Sequence, residues 1–271
     1  YVDYRLRVCK RKETIRQELV IIKHFYKTLL LKQGYVFKIP EIPEFKIREK
    51  DRAKRDDTFT LKEWDKLVRF MREWVKEKNI SQFRNPVKEY GKKENTLKKM
   101  NAMEYSMEKH RRAIIRELIL IASNSGLRCP KEILSLTWGD IKLRKQEMEN
   151  MYGRDEKSQE LVAVVKVNDE QKTGSRVVIC LAGTYFKRLR QYYIDNFDYT
   201  PKNNDPVFLE MYGRRKGSQL DKYALYRIWG ELMRDAGLDR IKFTLYHLRH
   251  FAITQQILNG VDLLLIAKNM G

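Results

Sequence analysis

A chain of 271 residues has room for two compact domains, or for one large domain and an appendage, since domains run to about 100–200 residues. Hydrophobic residues make up 42% and aromatics 11%, enough apolar surface to offset the cost of ordering a backbone, which excludes wholesale disorder. Lys and Arg number 56 against 36 Asp and Glu, a formal net charge of +20; self-repulsion on that scale opposes folding, so an anionic partner is expected. The run Leu118-Ile119-Leu120-Ile121 is far short of the about 20 apolar residues of a bilayer crossing, and no membrane role is expected. Cys9, Cys129 and Cys180 are odd in number and widely spaced, which argues against a disulfide framework or a thiolate metal site and for a reducing, cytoplasmic setting.

The chain begins at Tyr1 with no signal pattern, and reads as a fragment. Residues 12–33 carry Ile15, Leu19, Ile22, Tyr26 and Leu29 at spacings of four and three, one helical stripe with Gly34 placed to end it. With so little chain before it, residues 1–45 are expected to be the end of a larger helical domain, leaving that helix partly unpartnered. Pro40, Pro43 and the charge run of residues 46–57 read as a linker. Thr60 and Glu63 match a capping box that opens a helix through Leu67, Met71 and Trp74. A polar stretch over 79–105 precedes a helix at 107–124, and Pro130 suits the first turn of another leading to Trp138. Residues 161–167 and 176–181 are β-rich and flank a turn containing Gly174, which predicts a hairpin. Helices are predicted over about 183–196, 220–236 stopped by Gly237, 245–259 stopped by Gly260, and from Asp262 onward. The fold class is therefore mainly α with a small antiparallel β-sheet or hairpin (α+β).

Charge alone points to nucleic acid, and three local patterns go further. In NSGLRCPKEILSLTWGDI, residues 124–141, Arg128 sits in a Gly-led turn before a helix start, where a guanidinium can approach a phosphate with two parallel donors. In DEQKTGSRVV, residues 169–178, Lys172 lies at the tip of the predicted hairpin, able to deliver an ammonium into a DNA groove and to protonate a departing alkoxide. In TLYHLRHF, residues 244–251, Thr244 is a good N-cap, which places Tyr246 and Arg249 on one face beside the positive end of the helix, with His247 and His250 adjoining. Each pattern alone also fits an ordinary surface side chain; their order along the chain is the stronger signal.

In that order the chain resembles the tyrosine recombinases, or phage integrase family: residues 58–271 resemble most of the catalytic domain, and 1–45 the end of the preceding core-binding domain. The resemblance rests on GLR…E-x-L-x-L-x-W-x-D-I and LRH-x-x-A, supported by KTG on a hairpin. It implies catalytic roles for Arg128, Lys172 and Arg249, and a supporting role for Glu132, though the interval around Pro130 is one residue longer than usual. Tyr246 stands where the family usually has His, with His247 the neighbouring candidate to substitute for it and His250 a supporting residue. The nucleophilic tyrosine is implied to lie beyond Gly271. The implied reaction is DNA strand cleavage and rejoining through a 3′-phosphotyrosyl link, with no metal or other cofactor, on double-stranded DNA, by a multimer assembled there, in the cytoplasm at the nucleoid, in the service of a phage or mobile element. A non-catalytic DNA-binding protein and a type IB topoisomerase are the alternatives.

Overall fold

The computed structural model of the chain describes residues 1–9, 12–42, 45, 58–76, 102–148, 158–168, 174–239 and 243–271, and the chain divides into two compact units, Tyr1–Asp56 and Asp57–Gly271. The expected linker of residues 46–57, most of the polar stretch, and Lys172 at the hairpin tip lie outside the described residues.

The first unit holds α1 (Val2–Val8) and α2 (Lys12–Phe25), joined by the bidentate pair of Arg5 with Glu18 at 2.6 and 2.8 Å. Ile15 and Leu19 are buried, whereas Leu29 is exposed. The stripe expected to run as one α-helix over 12–33 changes at Tyr26–Leu31, a π-helical turn. Its i→i+5 bonding rotates the later residues off the line set by Ile15 and Leu19.

In the second unit the expected capping box is present. Thr60 accepts from the Glu63 backbone at 3.2 Å, the Glu63 carboxylate accepts from the Thr60 backbone at 2.9 Å, and α3 (Leu61–Trp74) follows, burying Leu67, Met71 and Trp74. The long α4 (Ala102–Ser125) is buried around its whole circumference from Glu117 to Ser123. A helix buried on all sides belongs at the centre of a core rather than on its surface. Pro130 starts only the short α5 (Lys131–Leu134), not a helix reaching Trp138. The chain leaves α5 because Thr137 and Asp140 bond to each other's backbone and open a separate turn at Trp138–Asp140.

Strands β1 (Ile141–Met148), β2 (Ser158–Val167) and β3 (Arg176–Cys180) form one antiparallel sheet in the order β1-β2-β3. The hairpin of β2 and β3 matches the sequence reading. Strand β1 was not predicted, because Lys142, Arg144, Lys145 and Gln146 outnumber the apolar Ile141 and Leu143, of which only Ile141 packs against the core. Register pairs Val165 with Val178, Ala163 with Cys180, and Val167 with Arg176, so side-chain alternation sends Arg176 to the same buried face as Val178 and Cys180.

Helix α6 (Gly183–Phe197) begins against the sheet, where any Cβ on Gly183 would collide with the Leu161 carbonyl. Helices α7 (Lys222–Asp235), α8 (His247–Leu258) and α9 (Leu263–Met270) complete the unit. Phe59 stacks on Phe243 with ring centroids 4.0 Å apart and meets Trp229 and Phe251 edge-on, so one aromatic cluster ties the chain before α3 to α7 and to the start of α8. Helix α4 packs on α8 and α6, and α9 packs on β3 and α8. The result is a mainly α unit with a small antiparallel sheet, as expected.

Candidate active site

The turn between α4 and α5 carries Arg128. Gly126 in that turn has φ of +68°, a conformation that favours glycine, and a Cβ there would meet the flexible end of the Met270 side chain and displace it. Two residues on, Arg128 donates from Nη1 to Glu132 Oε1 at 2.5 Å and from its backbone N–H to Glu132 Oε2 at 2.8 Å. The first helix turn of α5 brings Glu132 back beneath Arg128, and its side chain is only 1% exposed. From β3, Arg176 grips the same carboxylate end-on, Nη1 to Oε1 at 3.1 Å and Nη2 to Oε2 at 2.7 Å. From α8, Arg249 enters the same region and donates to the Gly126 carbonyl at 2.8 Å.

All three arginines also hold the end of α9. Arg176 Nε donates to the Asn269 carbonyl at 3.0 Å, Arg249 Nη2 to Met270 at 2.9 Å and Arg128 Nη2 to Gly271 at 3.2 Å. Carbonyls at a helix C-terminus lack intrahelical partners and carry the negative end of the dipole, so cations settle there. A turn, a strand and two helices are thereby brought to one centre.

The electrostatics follow from that packing. Burial works to raise the Glu132 carboxyl, but hydrogen bonds from Arg176 and from the Arg128 backbone and side chain outweigh it and hold it below the usual carboxylate range. Arg249 is lowered from its ordinary value, first by burial and then by repulsion from Arg128, with Arg176 adding to it. Three guanidiniums, from the α4–α5 turn, β3 and α8, are thus packed together around Glu132 and the end of α9, with their side chains largely withdrawn from solvent. Guanidinium donors gathered in this way can bind an oxyanion.

The start of α8 differs from the sequence reading. Thr244 was the expected N-cap, but the helix begins at His247, with Tyr246 at the cap position. The backbone N–H of Thr244 instead donates to His247 Nδ1 at 2.9 Å. His247 is buried, with Nδ1 also 2.9 Å from the Thr244 hydroxyl. Tyr246 and Arg249 do not share a face: Tyr246 is 44% exposed and Arg249 only 5%. Tyr246 meets the exposed His250 ring edge-on at 4.9 Å. The structure thus gathers Arg128, Glu132 and Arg249, with His247 buried at the start of the same helix and Tyr246 and His250 on its outer side. Among the described residues no cluster of His, Cys, Asp or Glu has the makings of a metal site.

Arg176 was missed by sequence reasoning. The signal was present: in the predicted strand it alternates with Val178 and Cys180, and an arginine in register with a buried apolar face requires a buried partner.

Residues 89–271, which include every member of this centre, match the model of the phage integrase family. The chain belongs to that family. Among solved structures it is similar to the XerH site-specific recombinase in its post-cleavage complex with palindromic difH substrate, at 20% identity over 86% of this chain and 51% of that one, with a TM-score of 0.50. The same recombinase in its pre-cleavage complex with difH gives 20% identity, 83% and 52% coverage and a TM-score of 0.49. XerA recombinase gives 16%, 98%, 70% and 0.45 respectively. This chain spans about half the length of the XerH chain, with which it shares the fold. No curated protein matches the sequence.

Proposed function

We propose that residues 58–271 belong to the catalytic domain of a site-specific tyrosine recombinase, and residues 1–45 to the core-binding domain before it. The reaction is cleavage and rejoining of double-stranded DNA by transesterification through a 3′-phosphotyrosyl intermediate. The observation that carries this reading is the convergence of Arg128 and Arg249, from separate elements, on the end of α9, close enough that Arg128 lowers Arg249 by repulsion.

A phosphodiester has one negative charge, and attack by a tyrosine oxygen gathers a second on the non-bridging oxygens of the pentacoordinate transition state. Fixed guanidiniums stabilise that state more than the ground state, and the difference lowers the barrier. Glu132 keeps Arg128 in place, and Lys172 protonates the leaving 5′-oxygen. The tyrosine beyond Gly271 forms the covalent link, which conserves the phosphodiester energy for rejoining. The partner is duplex DNA, engaged by a multimer assembled on it at the nucleoid.

The test is trapping on nicked duplexes that carry the exchange site, with the full-length protein. The reading expects a covalent protein–DNA adduct through a tyrosine at the 3′ side of the cut. A protein that binds the duplex tightly and yields no adduct would be a DNA-binding module instead.

A further inference from the structure

We propose that Arg176 is a positioning residue of this centre: it occupies the outer half of the Glu132 carboxylate and so keeps Arg128 turned toward the bound phosphoryl group. The inference rests on reading the centre as an oxyanion clamp.

An ionised carboxylate offers about four lone-pair sites. At Glu132 two are taken by the end-on fork of Arg176, one by Arg128 Nη1 and one by the Arg128 backbone N–H. The side chain of Arg128 is therefore held to the carboxylate through a single nitrogen. Without Arg176 the two lone pairs it vacates would be open to Arg128, whose Nη1 already bonds Oε1, and would draw it into a two-pronged pair, the geometry that arginine and carboxylate favour. That pair would turn the fork of Arg128 away from a ligand. Arg176 also donates to the Asn269 carbonyl, beside the Met270 carbonyl held by Arg249, so one side chain sets both the orientation of Arg128 and the seat of the last turn of α9. Its own fork is committed to Glu132 and its Nε to α9, and the side chain is 8% exposed. It acts on the phosphoryl group through Arg128.

The probe is orthovanadate, a phosphate mimic that reaches five-coordination, titrated calorimetrically into the protein as it stands. Arg176→Lys keeps the positive charge but cannot bridge both carboxylate oxygens. We expect it to weaken vanadate binding about tenfold or more, the size of effect typical when the partner of an orienting ligand is lost, with the melting temperature nearly unchanged. Removing the charge entirely threatens folding, because Glu132 would be left buried and half-partnered. For that case Arg176→Gln is paired with Glu132→Gln. If Arg176 acts through Glu132, the two losses are strongly non-additive. Wild-type affinity in Arg176→Lys, or additive losses in the pair, would overturn the inference. Arg128→Gln and Arg249→Gln provide the separate test of the clamp itself. If wild type binds no vanadate, or if these two variants bind it as wild type does, the clamp reading fails. If they lose it while the Arg176 variants keep it, only the role of Arg176 fails.

Discussion

Two buried glutamates in the second unit are each gripped by two arginines, and they do different work. Glu132, on α5, is held by Arg128 and Arg176. Glu117, on α4, has a side chain 3% exposed and is held by Arg116 and by Arg188 of α6 at 2.6–2.9 Å. The local chemistry is nearly identical, but the surroundings are not. The hollow beside Glu117 is also lined by the acidic Asp195. Around Glu132 a third arginine, Arg249, comes close, and all three arginines also bond the carbonyls at the end of α9. One cluster fastens α4 to α6, whereas the other gathers three arginines from separate elements.

Glu132→Gln and Glu117→Gln break that comparison most directly. Both remove one member of a buried ion cluster, and both are expected to cost stability on the order of 3–5 kcal/mol, measured by urea denaturation. Only Glu132→Gln should also reduce single-turnover DNA cleavage per folded molecule, by about a hundredfold. Equal cleavage in the two variants would mean that the cluster around Glu132 has no catalytic part.

A third buried polar group sharpens the contrast through pH. His110 on α4 is enclosed by Tyr192, Tyr193, Phe197 and Tyr212, and burial pushes its ring down to about 4. The unfolded chain, with an ordinary histidine near 6.5, binds a proton that the folded chain refuses. Its contribution is therefore fully present above pH about 6.5 and lost as pH falls toward 4, a change of about 3 kcal/mol. Denaturation at pH 7.5 and 4.5 should show this loss, and His110→Gln should flatten it. Glu132 works in the same direction at lower pH: its depressed carboxyl contributes above the ordinary carboxylate value, and that contribution disappears as pH falls through the folded value. A pH slope unchanged in His110→Gln would place the acid sensitivity elsewhere.

The smallest effects separate two glycines. Gly126 and Gly34 both have positive φ, +68° and +75°, so alanine at either carries a backbone cost of about 1 kcal/mol. Nothing lies within 4 Å of a Cβ at Gly34, whereas at Gly126 it meets the Met270 side chain. Gly126→Ala is expected to cost at most about 1 kcal/mol more, since the Met270 side chain is flexible and can move aside, and to slow cleavage modestly through Met270 at the end of α9. Gly34→Ala should leave cleavage unchanged, and matched losses in both would remove α9 from the account.

What could be read from sequence was local, and what could not was tertiary. Arg128 and Arg249 stood in motifs whose turn and helix contexts are short-range, and the capping box at Thr60 declared itself within four residues. Arg176 did not, since its partner Glu132 is 44 positions away and joins it only when β3 pairs with β2. Thr244 misled because its side chain fits an N-cap, while its backbone N–H is taken by a histidine ring three residues on. Strand β1 was hidden by its cationic outer face, which a sheet edge tolerates and composition reads as loop.

In the proposed reaction Arg128 and Arg249 converge on one scissile phosphate and tighten there at the transition state. Single-turnover cleavage and duplex affinity, measured side by side for Arg128→Ala and Arg249→Ala in the full-length protein, test it most directly. Cleavage should fall about a thousandfold or more while the dissociation constant for DNA changes by less than about tenfold. Parallel losses in cleavage and affinity would contradict it, and would leave these arginines as backbone grips alone.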